Sequence, residues 1–224
     1  MEAAARLVLR YLTAAAELPC YDCWEEHPGH RHTSTLASIV AGLRDAGGML
    51  GETQAVARAE ELRQLMLGSD HVVAGSLVRH PGDTRVDGSL LWAFVPYALL
   101  PLDADVAVTT IARIRDELCV PGGGVRRYQG DTFFGGAEWL LLAASLGCVA
   151  NAQGDRDLAD ALLGWIEASA DSNDYLPEQM ANQPQSPHML RHWQRRWGKT
   201  ATPLLWSHAM HLILLDDLGR PPVR

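Results

Sequence analysis

The sequence lacks any run of about 18 uncharged apolar residues, so no segment is expected to cross a membrane. No secretory leader is expected at its start either, since Glu2, Arg6, Arg10 and Glu17 interrupt the apolar stretch such a leader needs. Basic excess is absent. The net charge is -8 with nine histidines counted neutral, which disfavours the phosphate backbone of a nucleic acid and the anionic face of a membrane. A neutral or cationic small ligand fits such a charge. Cysteine is scarce, with four residues, too few for a disulfide scaffold. Reduced thiols and a cytoplasmic location are therefore expected, provided Met1 is the true start. The Gly122–Gly124 run lacks the Lys-Ser/Thr that completes a phosphate loop. No cofactor and no metal are expected. A sharp internal repeat is missing as well, which disfavours a short-period solenoid.

What remains is a chain of 224 residues, 47% hydrophobic, able to bury a sizeable core. Its periodicity is helical, with almost no strand alternation. Leu7, Val8, Tyr11, Leu12 and Ala15 form one stripe, and Leu36, Ile39, Val40 and Leu43 a second. Val56, Ala59, Leu62 and Met66 form a third; Leu90, Leu91, Phe94, Val95, Ala98 and Leu99 a fourth. Ala107, Ile111, Ile114 and Leu118 mark a fifth helix, and Trp139 to Leu146 a sixth. Leu158, Leu162, Ile166 and Ala170 mark a seventh, and Leu204 to Leu215 an eighth.

Segments 86–99, 137–150 and 201–215 are apolar on most faces and should be buried on most faces. Segments 104–118 and 156–170 carry one apolar stripe and a charged back, as outer helices do. This alternation predicts an all-α fold of helical hairpins, an α/α toroid, rather than a four-helix bundle. Long segments rich in Gly, Pro, aromatic and charged residues precede the inner helices, at 19–32, 121–136 and 171–200. Such loops on a rigid scaffold are where a site belongs.

Three of these loops carry chemistry. Tyr21-Asp22-Cys23-Trp24-Glu25-Glu26 sets three carboxylates beside two aromatic rings. Gly124-Val125-Arg126-Arg127-Tyr128-Gln129-Gly130-Asp131 offers a guanidinium and an aromatic ring next to glycines. Tyr175-Leu176-Pro177-Glu178-Gln179 adds a carboxylate and an amide. Glycoside hydrolysis needs one carboxyl group held protonated for the leaving oxygen and one ionised to activate water. A Glu beside Trp and among acids suits the first role, because desolvation and like charge both favour the neutral form. Aromatic rings stack on sugar faces, and charged groups grip hydroxyls. Carboxylates at helix starts also act as plain caps.

These residues resemble glycoside hydrolase family 15, the glucoamylases. Tyr21 to Glu26 resembles the family's Tyr-Asp-x-Trp-Glu-Glu signature. Arg127-Tyr128 with Asp131 resembles its Arg-Tyr-x-x-Asp segment, followed by Trp139. Leu176-Pro177-Glu178-Gln179 resembles the general-base segment, and Trp206-Ser207-His208-Ala209 the opening of the last inner helix. The resemblance implies an (α/α)6 barrel, an inverting mechanism and release of terminal α-linked glucose. Glu25 would be the general acid and Glu178 the general base. Asp22, Trp24, Glu26, Arg127, Tyr128, Asp131, Trp139 and Trp206 would bind substrate. Substrates would be an α-glucan, a malto- or isomalto-oligosaccharide, or trehalose. The two carboxyls of an inverting pair lie roughly 6.5–9.5 Å apart.

The chain also departs from that family. About eight of the barrel's twelve helices are present, as one partial catalytic domain over 1–224. The signature begins near residue 20, and the family's Arg-Asp grip on the terminal glucose has no counterpart; Arg115-Asp116 lies within a helix. A truncated or split product is expected, with apolar sides of inner helices uncovered and open to self-association. The alternative is a truncated, non-catalytic helical remnant that binds sugar weakly or needs a missing N-terminal half. Cys20-x-x-Cys23 with His27, His30 and His32 also has metal-like and redox-like spacing, although the βαβ setting of a redox pair is missing. His208 and His211, one turn apart, are expected as a buried hydrogen-bonded pair, and Cys119 and Cys148 as core thiols.

Overall fold

The structure, a computed structural model, describes residues 2–220. The chain divides into two compact units, Met1–Ile111 and Ala112–Arg224. Among the described residues are eight α-helices and four two-residue strands. No helix among them is long and apolar enough to cross a membrane.

The first unit opens with α1 (Glu2–Ala15), α2 (Thr33–Leu50) and α3 (Thr53–Leu67). Helices α2 and α3 form a tight hairpin. Gly51 ends α2 in the left-handed region, at φ 68, where glycine meets no Cβ penalty. Gly47 lets the helices approach: a Cβ there would lie 3.1 Å from Ala55 Cβ. Leu43, Leu62 and Met66 are fully buried, each worth about 1.5–3 kcal/mol relative to exposure. A short hairpin follows, β1 (Val72–Val73) with β2 (Ser76–Leu77).

Two expectations for this unit change. Of the stripe assigned to α1, Leu7, Val8 and Tyr11 are exposed and Leu12 and Ala15 half-buried, while Leu9 and, just past the helix, Ala16 are buried. Apolar residues cover more than half of that helix, so periodicity alone allowed two faces. The helix expected over 86–99 is a 3-10 helix, Gly88–Ala93, followed by turns. Pro96 explains this, because it lacks an N–H and disfavours the α conformation at Val95. The burial expected there holds for Leu90, Leu91, Trp92, Ala93 and Phe94.

Helix α4 (Asp105–Leu118) leads from the first unit into the second and buries Ala107, Ile111, Ile114 and Leu118, as its stripe predicts. In the second unit, β3 (Glu138–Trp139) leads into α5 (Leu140–Ala152), buried from Leu140 to Ala150. Helix α6 (Arg156–Ala168) returns along it, capped by Asp155, whose carboxylate accepts from Leu158 N. Strand β4 (Gln179–Met180) pairs antiparallel with β3. Helix α7 (Pro187–Trp197) lies inside the segment expected to be loop, and Pro187 at its first turn is a helix-start signal. Helix α8 (Leu205–Asp217) meets α5 closely, since a Cβ at Gly147 would lie 2.9 Å from the Leu214 methyls.

Helix α8 was expected to be buried on most faces. It buries Ser207, Leu214 and Leu215, whereas Leu205, Leu212 and Ile213 are 83%, 52% and 50% exposed. Its apolar residues encircle the helix, and α5 and α6 cover one side. The expected number of helices is present, with α7 gained and the 86–99 helix lost.

Candidate functional site

Each unit carries one cluster of the candidate residues. In the first, residues 20–30 form a closed loop. Cys20 and His30 bridge at its mouth, with Cys20 N donating to His30 O at 3.0 Å. Asp22 folds the loop from within. Its Oδ1 accepts from Trp24 N at 3.0 Å and Glu26 N at 2.8 Å, while Asp22 N donates to Glu26 O. Glu25 N donates to Asp22 O, and Glu25 takes φ 59.

Asp22 and Trp24 are buried, Glu26 is half-buried, and Glu25 is exposed. The desolvation invoked for Glu25 is therefore not supplied within its own unit. The Trp24 indole stands 5.9 Å from the Trp92 ring, centroid to centroid. Its Nε1 lies 3.2 Å from both oxygens of Asp87. Arg79, also buried, faces Asp22 at 3.7 Å and Asp87 at 3.3 Å. Neither Arg79 nor Asp87 was picked out by sequence; Asp87-Gly88-Ser89 carries only the signal of a helix cap.

The metal-like spacing does not produce a cysteine site. Among the described residues, the group whose donor atoms converge within 4.8 Å is Asp22, Glu26 and His27, without either cysteine. Burial pushes the Cys23 thiol well up, with the Asp87 charge adding to it, which opposes the thiolate that metal binding and redox exchange need. His30 instead stacks on His80 at 3.9 Å.

In the second unit, Arg127 forms a fork with Asp131. Nε lies 2.7 Å from one carboxylate oxygen and Nη2 2.6 Å from the other. Both residues are buried, and Asp131 also accepts from Phe133 N. The guanidinium carbon lies 5.1–5.3 Å from the ring centres of Tyr128, Phe133 and Trp139. This environment gives Asp131 the role of holding Arg127. Trp139 is buried and pairs through β3 with Gln179. Phe133 and Trp193, which pack at 5.0 Å, were not singled out from sequence.

Glu178 sits on a strap tied at both ends. Its N donates to Ala201 O, Leu176 N donates to His208 Nε2, and Ser207 Oγ donates to Pro177 O. Ser207 and His208 of the fourth motif thus hold the third. The expected His208–His211 pair does not form: His208 serves Leu176, and His211 faces Glu167 at 3.4 Å. Each finds a partner off the helix. Trp206 is 41% exposed at the start of α8. Burial raises the Glu178 carboxyl, opposed by Gln179 and by the Arg127 charge.

The glycine run at 122–124 has a packing role. A Cβ at Gly123 would lie 2.7 Å from Trp165, and one at Gly124 2.4 Å from Glu138. Burial raises the Cys119 thiol to about 11 and the Cys148 thiol to about 12; Cys148 is the core thiol expected, whereas Cys119 is only half-buried.

No family model matches the chain. It is 44% identical over 221 residues to the isomaltose glucohydrolase of Kribbella flavida, covering 95% of this chain and 56% of that protein. A solved glycosidase in complex with glucose is 43% identical with a TM-score of 0.89, covering 94% of this chain and 58% of its own. A bacterial glucoamylase complexed with acarbose matches at 21% identity and a TM-score of 0.68, over 88% of this chain and 35% of its own. The all-α, α/α helical-hairpin fold of the glucoamylases is thereby established. The chain spans about half the length of the glucohydrolase it matches.

Proposed function

We propose that the chain is a portion of the catalytic domain of an inverting glycoside hydrolase of the glucoamylase type, releasing terminal α-linked glucose. The observation that carries this reading is the 44% identity to an isomaltose glucohydrolase over nearly the whole chain. Isomaltose is therefore the first substrate to try, ahead of maltotriose and trehalose.

Glu25 is read as the general acid. It stands in a loop whose backbone is locked by Asp22, so its position is set before substrate arrives. Glu178 is read as the general base, on a strap held by Ala201, Ser207 and His208. Asp22, Trp24, Glu26, Arg127 and Tyr128 are read as the sugar-contacting set, with Asp131, Trp139 and Trp206 supporting it. In the reaction, Glu25 gives its proton to the glycosidic oxygen, the bond to the anomeric carbon breaks, and a water deprotonated by Glu178 adds from the opposite face. The exposed apolar residues of α8 support self-association.

The test is glucose release by the purified chain from the three sugars, with Glu178→Gln as control. Glucose that appears first as the β anomer, and is lost in the control, supports the reading. No glucose from any sugar favours the non-catalytic remnant.

A further inference from the structure

The loop holding Glu25 is tied to a pair of buried residues far along the chain. Asp87 is 4% exposed and accepts from four donor groups or charges at once. Ser89 N and Ser89 Oγ reach its Oδ1 at 2.9 and 2.7 Å, and Trp24 Nε1 reaches both oxygens. Arg79 Nε lies 3.3 Å from its Oδ2. A helix cap uses one carboxylate oxygen on a surface. The second oxygen, the burial and the cation exceed what a cap requires.

Arg79 is equally fixed. Its backbone accepts from Thr33 N at the start of α2 and donates to Arg85 O. Its Nη2 faces Asp22 Oδ2 at 3.7 Å, a buried oxygen that accepts no hydrogen bond among the described residues. Asp83, the third acid near it at 3.9 Å, is itself neutralised by Arg85 at 2.7 Å. The interactions close on themselves: Asp22 to Arg79, Arg79 to Asp87, Asp87 to the Trp24 indole, and Trp24 N back to Asp22. In a buried setting, removing one member leaves another charge or donor uncompensated.

We propose that Asp87 and Arg79 are positioning residues for the catalytic loop: Asp87 sets the Trp24 indole, and Arg79 couples Asp87 to Asp22, which folds the Glu25–Glu26 turn. For its catalytic arm this rests on reading Glu25 as the general acid. Neither residue touches the reacting atoms.

Two readouts separate the inference from that reading. The first is the Trp24 indole N–H resonance and its solvent exchange in the 15N-labelled chain, assigned through Trp24→Phe. The second is kcat and KM for glucose release from isomaltose. Ser89→Ala, which removes only a hydroxyl from the Asp87 cluster, should leave both in place. Asp87→Ala should shift the indole resonance, speed its exchange and lower kcat by about tenfold or more, with KM moving less. Asp87→Asn keeps an acceptor for the indole but drops the charge facing Arg79, so it should fall between. Arg79→Lys keeps charge but loses the planar fork and should resemble Asp87→Asn.

An Asp87→Ala chain with an unmoved indole signal, or with wild-type kcat, overturns the proposal. If that variant does not fold, Asp87→Asn decides: unchanged exchange and unchanged kcat overturn it equally. If the wild-type chain releases no glucose, the activity reading fails while the indole resonance still decides the positioning.

Discussion

Arg127 and Asp131 meet in a two-pronged contact at 2.7 and 2.6 Å, four residues apart in sequence and both out of solvent. Two charges buried this way depend on each other, since the loss of either strands its partner. Asp131→Ala and Arg127→Ala should each destabilise the chain by about 3–5 kcal/mol in urea unfolding. The double variant should lose less than the sum of the singles. Additive losses would mean that the two residues do not act as a pair.

Glu178→Gln should abolish glucose release and leave the fold intact, because the exchange is nearly isosteric. Burial raises the Glu178 carboxyl, so the base form is lost at higher pH than for an ordinary Glu, at about 4.3. The acid limb of kcat/KM should therefore sit above that value. The stability sign is opposite to that of a salt-bridged acid. Below the unfolded value both states are protonated and burial carries no charge penalty. As pH rises through the folded value the unfolded state has already ionised, and stability falls. Glu178→Gln should match the wild-type Tm at low pH and exceed it at neutral pH. A Gln variant less stable at neutral pH would count against burial as the cause of the shift.

The uncovered side of α8 should make the chain associate. Sedimentation velocity over a concentration series should show a shift toward larger species. Leu205→Glu with Ile213→Glu should remove it, because both side chains are at least half exposed and apolar. A single sedimentation coefficient at all concentrations would exclude this face as an interface.

Cys23 should react slowly with a thiol reagent in the folded chain at mild alkaline pH, since burial and Asp87 hold it as the neutral thiol. All four cysteines should react after unfolding. Fast reaction of Cys23, or a Cys20–Cys23 disulfide formed by mild oxidant, would restore the redox reading.

Legibility in the sequence followed the range of the interactions. Helix α4 could be read because Ala107, Ile111, Ile114 and Leu118 keep one register against a charged back, and all four are buried. Helix α7 could not, because its Arg- and His-rich composition looks like polar loop and none of its residues is fully buried. Pro96 outweighed the apolar period of 86–99. The same holds for the candidate site. Asp22, Trp24, Glu25 and Glu26 stand together because they are consecutive. The Trp24–Asp87 contact spans 63 residues and leaves no local mark. Ser207 and His208 were noticed as a motif, yet their work of holding the Leu176–Glu178 strap appears only in three dimensions.

The left-handed backbone at Glu25 has a further consequence for anyone wishing to stabilise this chain. At φ 59 the position suits Gly or Asn, and a Glu there sits about 1 kcal/mol or more above its relaxed conformation. Exchange to Gly would relieve that conformation and discard the one carboxylic acid proposed to protonate the leaving group. A screen for heat tolerance would tend to select the replacement, and a screen for turnover would reject it. Residue 25 is thus where thermal selection and catalytic selection pull the same codon in opposite directions.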